Sequence, residues 1–306
     1  MEQKRQPAVW RALCVFIWIV RKLRHKPALK FAGALGKLTP LFLRAKTRES
    51  SGRCARVLGI SYEQAYKIIT GAYVHFAKAA AEFARLPIMV SDIKNLVRIH
   101  GEENLKAAMS RGKGVILATA HLGNWEYAAA WCAQSGYPIN GLGTDQRDDR
   151  ITSLIASLRS SGGTKALGKA TDLKAMFRAL SAGEIIAVPI DQDAKLSGIV
   201  SSFLGFPAST PIGAAKLAGK YGCAVLPAFC LRSQDGVTMD FYILPAMEGR
   251  GGISYGSDIQ SSIDDLNAII SDWIKTYPDQ WMWLYPRWES VERGMFDEVR
   301  NRPGQV

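Results

Sequence analysis

The chain of 306 residues is long enough for one large domain or two small ones. Its composition, with 48% apolar and 22% charged residues, is that of a globular protein and excludes the collagenous, disordered and disulfide-scaffold classes. The five cysteines are scattered and form no C-x-x-C pair. This pattern argues against a disulfide framework or a structural zinc site and suits a reducing, cytosol-facing compartment.

The positive charge is concentrated at the amino-terminal end. Residues 1–56 contain 14 Lys and Arg but only two acidic residues, whereas residues 57–306 contain 25 of each sign. The whole net charge of +12 therefore belongs to the first segment. We interpret residues 1–56 as a basic arm and residues 57–306 as the body. Such asymmetry indicates a polyanionic partner, either nucleic acid or an anionic membrane.

The arm is amphipathic but has no run long enough to span a bilayer. Its longest uncharged apolar run, residues 12–20, would cover about 13 Å as a helix, against a hydrocarbon core of about 30 Å. Basic residues follow at once and a small-residue cleavage pattern is lacking, so a secretory signal is not expected. We expect Pro27 and Pro40 to divide the arm into short helices. The middle one has apolar residues at helical spacing, namely Leu29, Ala32, Leu35 and Leu38.

Three interpretations of the arm are open. An anionic membrane surface is favoured, because the large apolar residues between the basic ones can be buried at the headgroup boundary. A packed helix with a solvated basic face is the second interpretation. Nucleic acid is disfavoured as a partner, since an arm that binds it is usually polar between its charges.

The body alternates short apolar runs with amphipathic stretches. Residues 61–86 form the clearest helix, and we expect Pro87 to end it. Because runs that are apolar on both faces indicate strands covered by helices, we predict an α/β fold with a mostly parallel central sheet flanked by helices. The predicted strands are residues 114–120, 139–143, 184–190, 224–231 and 238–244. After the helix at residues 61–86, the predicted helices are residues 124–134, 148–160, 172–182, 211–221 and 257–276.

Chemistry-bearing residues follow the first and third predicted strands, at the edge where an open α/β sheet binds its ligand. In the segment HLGNWE, His121 ends the strand, Gly123 permits a turn and Asn124 can cap the next helix. If the turn folds His121 back, the carboxylate of Glu126 can fix the imidazole tautomer and leave the other ring nitrogen free as a base. Free N–H groups at the helix start can then hold an oxyanion. A structural histidine near a carboxylate by chance is the alternative.

Several segments in this order resemble one family. HLGNWE resembles the H-x-x-x-x-[D/E] motif of glycerolipid acyltransferases. Its surroundings resemble the bacterial lipid A biosynthesis acyltransferase family, over roughly residues 60–290. The segments that carry the likeness are residues 118–126, 188–194, 203–229 and 280–288.

The resemblance implies transfer of a fatty acyl chain from a thioester, on acyl carrier protein or coenzyme A, to a hydroxyl of a membrane glycolipid. It implies His121 as the base, Glu126 as the orienter of the ring, and no metal or cofactor besides the donor. The acceptor stays open between a lipid A precursor, a phosphatidylinositol mannoside and another glycolipid. With the basic arm, the expected location is peripheral, on the cytoplasmic face of the bacterial inner membrane. A non-catalytic membrane-binding protein is the alternative.

Asn124 and three residues further along are candidates for binding substrate. Arg159 can bind a phosphate or a donor headgroup bidentately, or it can merely offset a helix dipole. Asp191 and Gln192 follow the third strand and can orient acceptor hydroxyls, with a structural salt bridge as the alternative for the carboxylate. A metal site is not expected, because Asp191 and Asp193 offer too few oxygen ligands.

Two further features have structural interpretations. Segment 163–170 nearly matches the phosphate-binding P-loop, but Ala170 occupies the position that needs a hydroxyl, and a predicted helix rather than a strand precedes it. We therefore reject the match, and a nucleotide-dependent enzyme that uses residues 163–169 is kept as a rival hypothesis. Half of the eight tryptophans cluster near the carboxyl terminus, where core packing is favoured over an acyl channel or a membrane interface: Trp273, Trp281, Trp283 and Trp288.

Overall fold

The computed structural model describes residues 7–143, 146–169 and 173–300. The first break between helices falls at Leu23 and Arg24, just ahead of Pro27, as expected. Pro40 and Pro87 instead lie inside helices, and each helix continues for two residues beyond its proline. The ends expected there are wrong: a proline lacks an N–H donor and its ring crowds the turn before it, but the residues after it can stay helical. The first four helices of the described chain are α1 Pro7–Lys22, α2 His25–Phe42, α3 Arg44–Leu58 and α4 Tyr62–Met89.

The arm helices pack against α4. The Nε atom of Arg21 donates to the carbonyl of Ala84 at 2.7 Å, and the guanidinium of Arg85 donates back to carbonyl oxygens at the end of α1. A Cβ atom on Gly36 would lie 2.6 Å from the Cα atom of Val74, so glycine allows α2 and α4 to touch. Helix α3 runs across the proposed boundary between arm and body at residue 56, and that division stays a prediction. The inner face of the arm is buried at Val20, Ala28, Leu29 and Ala32.

The outer face of the arm exposes large apolar side chains. Phe42 is 81% exposed and Trp18 is 64% exposed. The stripe predicted in α2 is divided, because Leu29 is buried whereas Leu35 and Leu38 face outward. Within the described ranges, every helix is too short or too polar to cross a membrane. The other exposed apolar residues of the arm are Val9, Val15, Leu41 and Leu43.

The body contains the mostly parallel sheet that the sequence predicts. Its strands are β1 Val97–His100, β2 Val115–Thr119, β3 Ile139–Gly143, β4 Lys165–Lys169, β5 Ile185–Pro189, β8 Ala224–Arg232 and β9 Met239–Ile243, while β6 Ile199–Phe203 and β7 Phe206–Thr210 form a separate hairpin. The strand order is β1-β9-β8-β2-β5-β3-β4. Only β8 and β9 pair antiparallel within this sheet of the described chain. Strands β2 and β5 are therefore direct neighbours, and their carboxyl ends meet at one edge.

Strands β1, β4, β6 and β7 were not predicted. Each lacks a long apolar run, as in KALGK for β4. The β6–β7 turn places Leu204 and Gly205 at φ values of +53° and +86°, which is typical of a two-residue hairpin. Strand β4 lies at one end of the sheet and occupies most of the segment that resembles a P-loop, so that segment is not a phosphate-binding loop. Ala170 lies outside the described residues.

The sheet is buried on both faces. Neighbouring residues of β2, such as Ile116 and Leu117, belong to different hydrophobic clusters, one on each face. All nine residues of β8 are buried, as its uninterrupted apolar run predicts. After α4, the helices of the body are α5 Ile93–Leu96, α6 Glu102–Met109, α7 Trp125–Gln134, α8 Asp149–Ser161, α9 Leu173–Ser181, α10 Gly213–Tyr221, α11 Ile259–Thr276, α12 Glu289–Glu292 and α13 Met295–Arg300.

Candidate active site

The candidate site forms where β2 and β5 end side by side. In their parallel pairing Thr119 lies opposite Pro189, and the next N–H group, of Ile190, donates to the carbonyl of Thr119 at 3.0 Å. His121 and Asp191 each lie two residues beyond this pair. The register of the two strands therefore brings them together at the edge where a ligand site is expected.

Asp191 binds both the ring and the backbone of His121. The Nδ1 atom of His121 lies 2.8 Å from Oδ1, and the backbone N–H of His121 donates to Oδ2 at 2.8 Å. The indole Nε1 of Trp281 donates to the same Oδ2, also at 2.8 Å. Because an ionised carboxylate only accepts hydrogen bonds, the proton of a neutral imidazole resides on Nδ1. The Nε2 atom has no hydrogen-bond partner within the described ranges, and 17% of the His121 side chain is exposed.

His121 and Asp191 stabilise each other's charged form. Burial lowers the pKa of His121, but the charge and hydrogen bond of Asp191 outweigh it and raise that pKa above its usual value. Burial likewise raises the pKa of Asp191, whereas His121 and the hydrogen bond from Trp281 lower it, and the net pKa is below the usual range. Asp191 is therefore ionised at neutral pH and favours the imidazolium form of His121.

Glu126 is bound to Arg159. The Nε atom of Arg159 lies 3.1 Å from both carboxylate oxygens, and Nη2 lies 2.7 Å from Oε1. The expected contact between Glu126 and the imidazole is thus wrong, because the strand register supplies Asp191 to Nδ1 and a cation on α8 binds Glu126. The two charges still act on the histidine, since Glu126 raises the pKa of His121 and Arg159 lowers it. Arg159 reaches the site as predicted, but as the partner of Glu126.

The turn after β2 is held from both sides. Gly123 has a φ of +72°, and a Cβ atom there would lie 2.0 Å from the carbonyl oxygen of Cys230, so only glycine fits. Its N–H donates to the carbonyl of Gln280 at 2.9 Å. Its own carbonyl accepts a hydrogen bond from Nε2 of His75 at 3.0 Å. Burial, assisted by the charge of Arg232, lowers the pKa of His75 to about 3, so this ring is neutral and structural.

Asn124 is buried and caps α7. Its Oδ1 atom accepts from the N–H of Tyr127 at 3.1 Å, and its Nδ2 atom donates to Glu82 at 2.8 Å. Glu82 in turn accepts two hydrogen bonds from Arg232, at 2.7 and 2.5 Å. Because both ends of the amide are occupied inside the protein, the geometry does not support the predicted contact of Asn124 with substrate. Asn124 instead ties the start of α7 to a buried ion pair.

The residues after Asp191 take different positions. Gln192 is exposed and makes no hydrogen bond within the described part of the chain, so its amide is open to a ligand. Asp193 accepts hydrogen bonds from the backbone N–H and the hydroxyl of Ser290, at 2.8 and 2.6 Å. Strand β5 has already ended at Pro189. Asp193 therefore holds the region of α12.

Sequence reasoning did not assign Trp281, Glu82 or Arg232 to the site. Trp281, Trp283 and Trp288 are buried, so core packing is what the structure shows for these tryptophans. Trp281 additionally orients the carboxylate beside the catalytic candidate. The sequence did point to the importance of this segment, since residues 280–288 carry part of the family resemblance. Glu82 and Arg232 lie 150 positions apart and gave no such signal.

Several known proteins that are similar to this chain are named as acyltransferases. The chain is 26% identical to a phosphatidylinositol mannoside acyltransferase of Mycolicibacterium smegmatis, over 78% of this chain and 76% of the relative. It is also 26% identical to the lipid A biosynthesis palmitoleoyltransferase of Escherichia coli, over 92% and 90% of the two chains. The lauroyltransferase of lipid A biosynthesis from the same species is 26% identical, over 66% and 65%.

The family follows from a match along nearly the whole chain. Residues 2–290 match the model of the bacterial lipid A biosynthesis acyltransferase family, and the chain belongs to that family. The family resemblance and the enzyme class predicted from the sequence are thereby confirmed.

Proposed function

We propose that the protein transfers a fatty acyl chain from a thioester, on acyl carrier protein or coenzyme A, to a hydroxyl of a membrane glycolipid. A lipid A precursor is the first candidate acceptor and a phosphatidylinositol mannoside the second, since relatives named for both are similar to this chain. The observation that carries the proposal is the pairing of His121 with Asp191, which leaves the Nε2 atom unpartnered among the described residues. The displacement needs no cofactor besides the donor thioester.

His121 acts as the general base. Its Nε2 atom takes the proton of the acceptor hydroxyl while the hydroxyl oxygen forms a bond to the thioester carbonyl carbon. Asp191 keeps the other proton on Nδ1 and stabilises the imidazolium that results. The raised pKa of His121 strengthens it as a base, although the ring must be neutral before each turnover.

The start of α7 offers donors for the oxyanion. The N–H groups of Gly123 and Asn124 are already bonded to backbone carbonyls. Those of Trp125 and Glu126 make no hydrogen bond within the described ranges, so we assign stabilisation of the oxyanion to them. When the tetrahedral intermediate collapses, the C–S bond breaks and the thiolate leaves. The imidazolium of His121 then returns its proton to that sulfur.

The remaining predicted residues have supporting roles in this proposal. Glu126 is a positioning residue, because its pairing with Arg159 fixes the start of α7 relative to α8 beside His121. Arg159 thereby shapes the field at the site instead of binding a phosphate with a free guanidinium. Gln192, exposed next to Asp191, is the side chain we assign to the acceptor hydroxyls.

The arm is proposed to hold the enzyme peripherally on the cytoplasmic face of the bacterial inner membrane. Its exposed apolar side chains, such as Trp18 and Phe42, can be buried at the headgroup boundary. The basic residues of segment 1–56 add attraction of about 1 kcal/mol each near an anionic surface. Binding at the surface would bring the enzyme to an acceptor that resides in the bilayer.

A substrate panel tests the proposed reaction. Purified protein is given thioesters of acyl carrier protein and of coenzyme A with several chain lengths, each combined with a lipid A precursor or a phosphatidylinositol mannoside. Mass spectrometry should show one acyl chain added to one class of acceptor, with release of an equal amount of thiol. The same acceptor with its hydroxyls blocked is the control and should stay unmodified. Hydrolysis of the thioester without transfer, in every combination, would contradict the proposal.

A further inference from the structure

A cavity of about 490 Å³ lies behind the turn that carries His121, and no step of the proposed reaction uses it. Helices α2 and α4, the end of β8 and the segment before Trp281 surround it. Two of its lining residues, His75 and Gln280, are the ones that hold Gly123. An occupant would therefore rest directly against the frame of the catalytic turn.

The cavity has an excess of positive charge. Lys37 and Lys78 line it, and no hydrogen bond or ion pair within the described ranges engages either ammonium group. Arg232 also lines it but is neutralised by the buried carboxylate of Glu82. Asp279, the only carboxylate among the described lining residues, is exposed. The two lysines outnumber this carboxylate, and their excess charge favours an anion with several oxygen acceptors, such as a phosphate group.

The surroundings of Lys78 disfavour its charged form. Burial lowers its pKa, and the charges of Arg232 and Lys37 lower it further, while Glu82 acts in the opposite direction. An anion bound beside these cations would act like Glu82 and favour the charged form of Lys78. His75 adds no charge because it is neutral.

Helices α2 and α4 run antiparallel beside the cavity. A Cβ atom on Gly33 would lie 3.1 Å from the Cε atom of Lys78, and one on Gly36 would lie 2.6 Å from the Cα atom of Val74. Residue numbers thus rise along α2 as they fall along α4. The carboxyl end of α2 and the amino-terminal half of α4 therefore lie next to each other.

The antiparallel arrangement places an apolar surface at the mouth of the cavity. On α2, Leu41 lies one turn beyond Lys37 on the same stripe, and on α4, Tyr66 lies one turn before Thr70, another lining residue. Leu41 and Tyr66 are both exposed, and Phe42 beside them is the most exposed large apolar side chain described. Basic cavity and apolar surface are consequently continuous.

We propose that this cavity binds the phosphate group of a membrane lipid whose acyl chains lie against Leu41 and Tyr66. The inference deepens the proposed function, because it requires the arm to contact a membrane. A lipid fits better than free phosphate, since only a molecule with both groups would occupy the cations and the apolar surface together. Bound there, the lipid would brace His75 and Gln280 behind the turn that carries His121.

Titration calorimetry on the full chain, without any acyl donor, tests this binding. The probe is dihexanoyl phosphatidic acid at concentrations where it stays dispersed. Dihexanoylglycerol lacks the phosphate and inorganic phosphate lacks the chains. We expect saturable binding of the phosphatidic acid at one site and at least about tenfold weaker binding of both comparison compounds, because each loses one set of contacts. Inorganic phosphate binding as tightly as the lipid would overturn the proposal.

Matched variants locate the site. Lys37→Gln and Lys78→Gln should each weaken binding of the phosphatidic acid about tenfold, the usual effect of losing one charge-assisted hydrogen bond. Lys216→Gln removes the same charge from an exposed position of α10, outside the arm, and should bind like the unmodified chain. Equal affinity in all three variants, with normal thermal unfolding, would overturn the proposal. The binding assay contains no acyl donor, so absence of lipid binding does not bear on the acyl-transfer proposal. In the same way, absence of acyl transfer does not bear on lipid binding.

Discussion

The Nδ1 atom of His121 lies 2.8 Å from the Oδ1 atom of Asp191, although 70 positions separate the two residues in the chain. The indole of Trp281 binds the same carboxylate, so its position does not depend on the histidine alone. This arrangement gives the carboxylate two effects: it fixes the imidazole tautomer, and it stabilises the charge that forms when the ring takes a proton.

Asp191→Asn should lower kcat by about 100-fold or more, the usual scale for impaired general-base catalysis. It should also change the pH dependence. The carboxylate raises the pKa of His121, so its loss lowers that pKa, and the acidic limb of kcat/KM moves to lower pH. A pH–rate profile measures both effects. Asp272→Asn removes an exposed carboxylate on α11 and serves as the control. An acidic limb that stays in place would contradict this role of Asp191.

Glu126 and Arg159 should act as a unit. Glu126→Gln and Arg159→Gln should each lower kcat/KM, because either change releases the start of α7 from α8. The double variant should lose no more than about the larger single effect, since residues in one hydrogen-bonded pair are not additive. Steady-state kinetics on the unmodified chain, the two single variants and the double variant gives the four values of kcat/KM that this double-mutant cycle needs. Fully additive effects would show that the two residues act independently.

Gly123→Ala should destabilise the protein more than Gly183→Ala. Both glycines have a similar positive φ, +72° and +74°, so the backbone cost of about 1–2 kcal/mol is shared. Only at Gly123 would the new Cβ atom meet a backbone carbonyl, that of Cys230, whereas the space at Gly183 is open. Denaturant unfolding gives the two free energies. Equal losses would mean that the contact with Cys230 is not a constraint.

The exposed apolar residues of the arm should contribute to membrane binding. Phe42→Ser and Trp18→Ser should each lower the partition coefficient into phosphatidylglycerol-containing vesicles about tenfold, as measured by sedimentation. This is the effect expected when one large side chain is no longer buried in the membrane. Ile253→Ser removes an exposed apolar residue from the body and is the matched control. Unchanged sedimentation of the arm variants would refute docking through this face.

Buried strands were predictable, and polar or short ones were not. The runs in β2, β5 and β8 are apolar on both faces, which is the pattern of strands covered by helices, and their bounds agree with the structure to within one residue. Strand β4 and the β6–β7 hairpin contain Lys, Ser and Gly residues and therefore gave no periodic signal. The position of β4 depends on its pairing with β3, whereas β6 and β7 pair with each other across their turn.

The catalytic candidate was predictable, but its partner was not. His121 stands out because it directly follows a buried strand and precedes a capped helix. Glu126 was assigned as the orienter because it is near in sequence. Asp191 was already a candidate, but nothing local shows that β5 lies beside β2, and this adjacency decides which carboxylate reaches Nδ1. The order of strands is a tertiary property, so residues at the ends of different strands cannot be paired by spacing alone.

The rate of acyl transfer by His121→Ala is the most direct test of the proposed mechanism. The variant should fold normally and transfer acyl chains about 100-fold or more slowly than the unmodified chain, because it lacks the base that activates the acceptor hydroxyl. His100→Ala, which removes an exposed histidine bonded to Asp240, should keep normal turnover. A folded His121→Ala protein with near-normal turnover would contradict the mechanism.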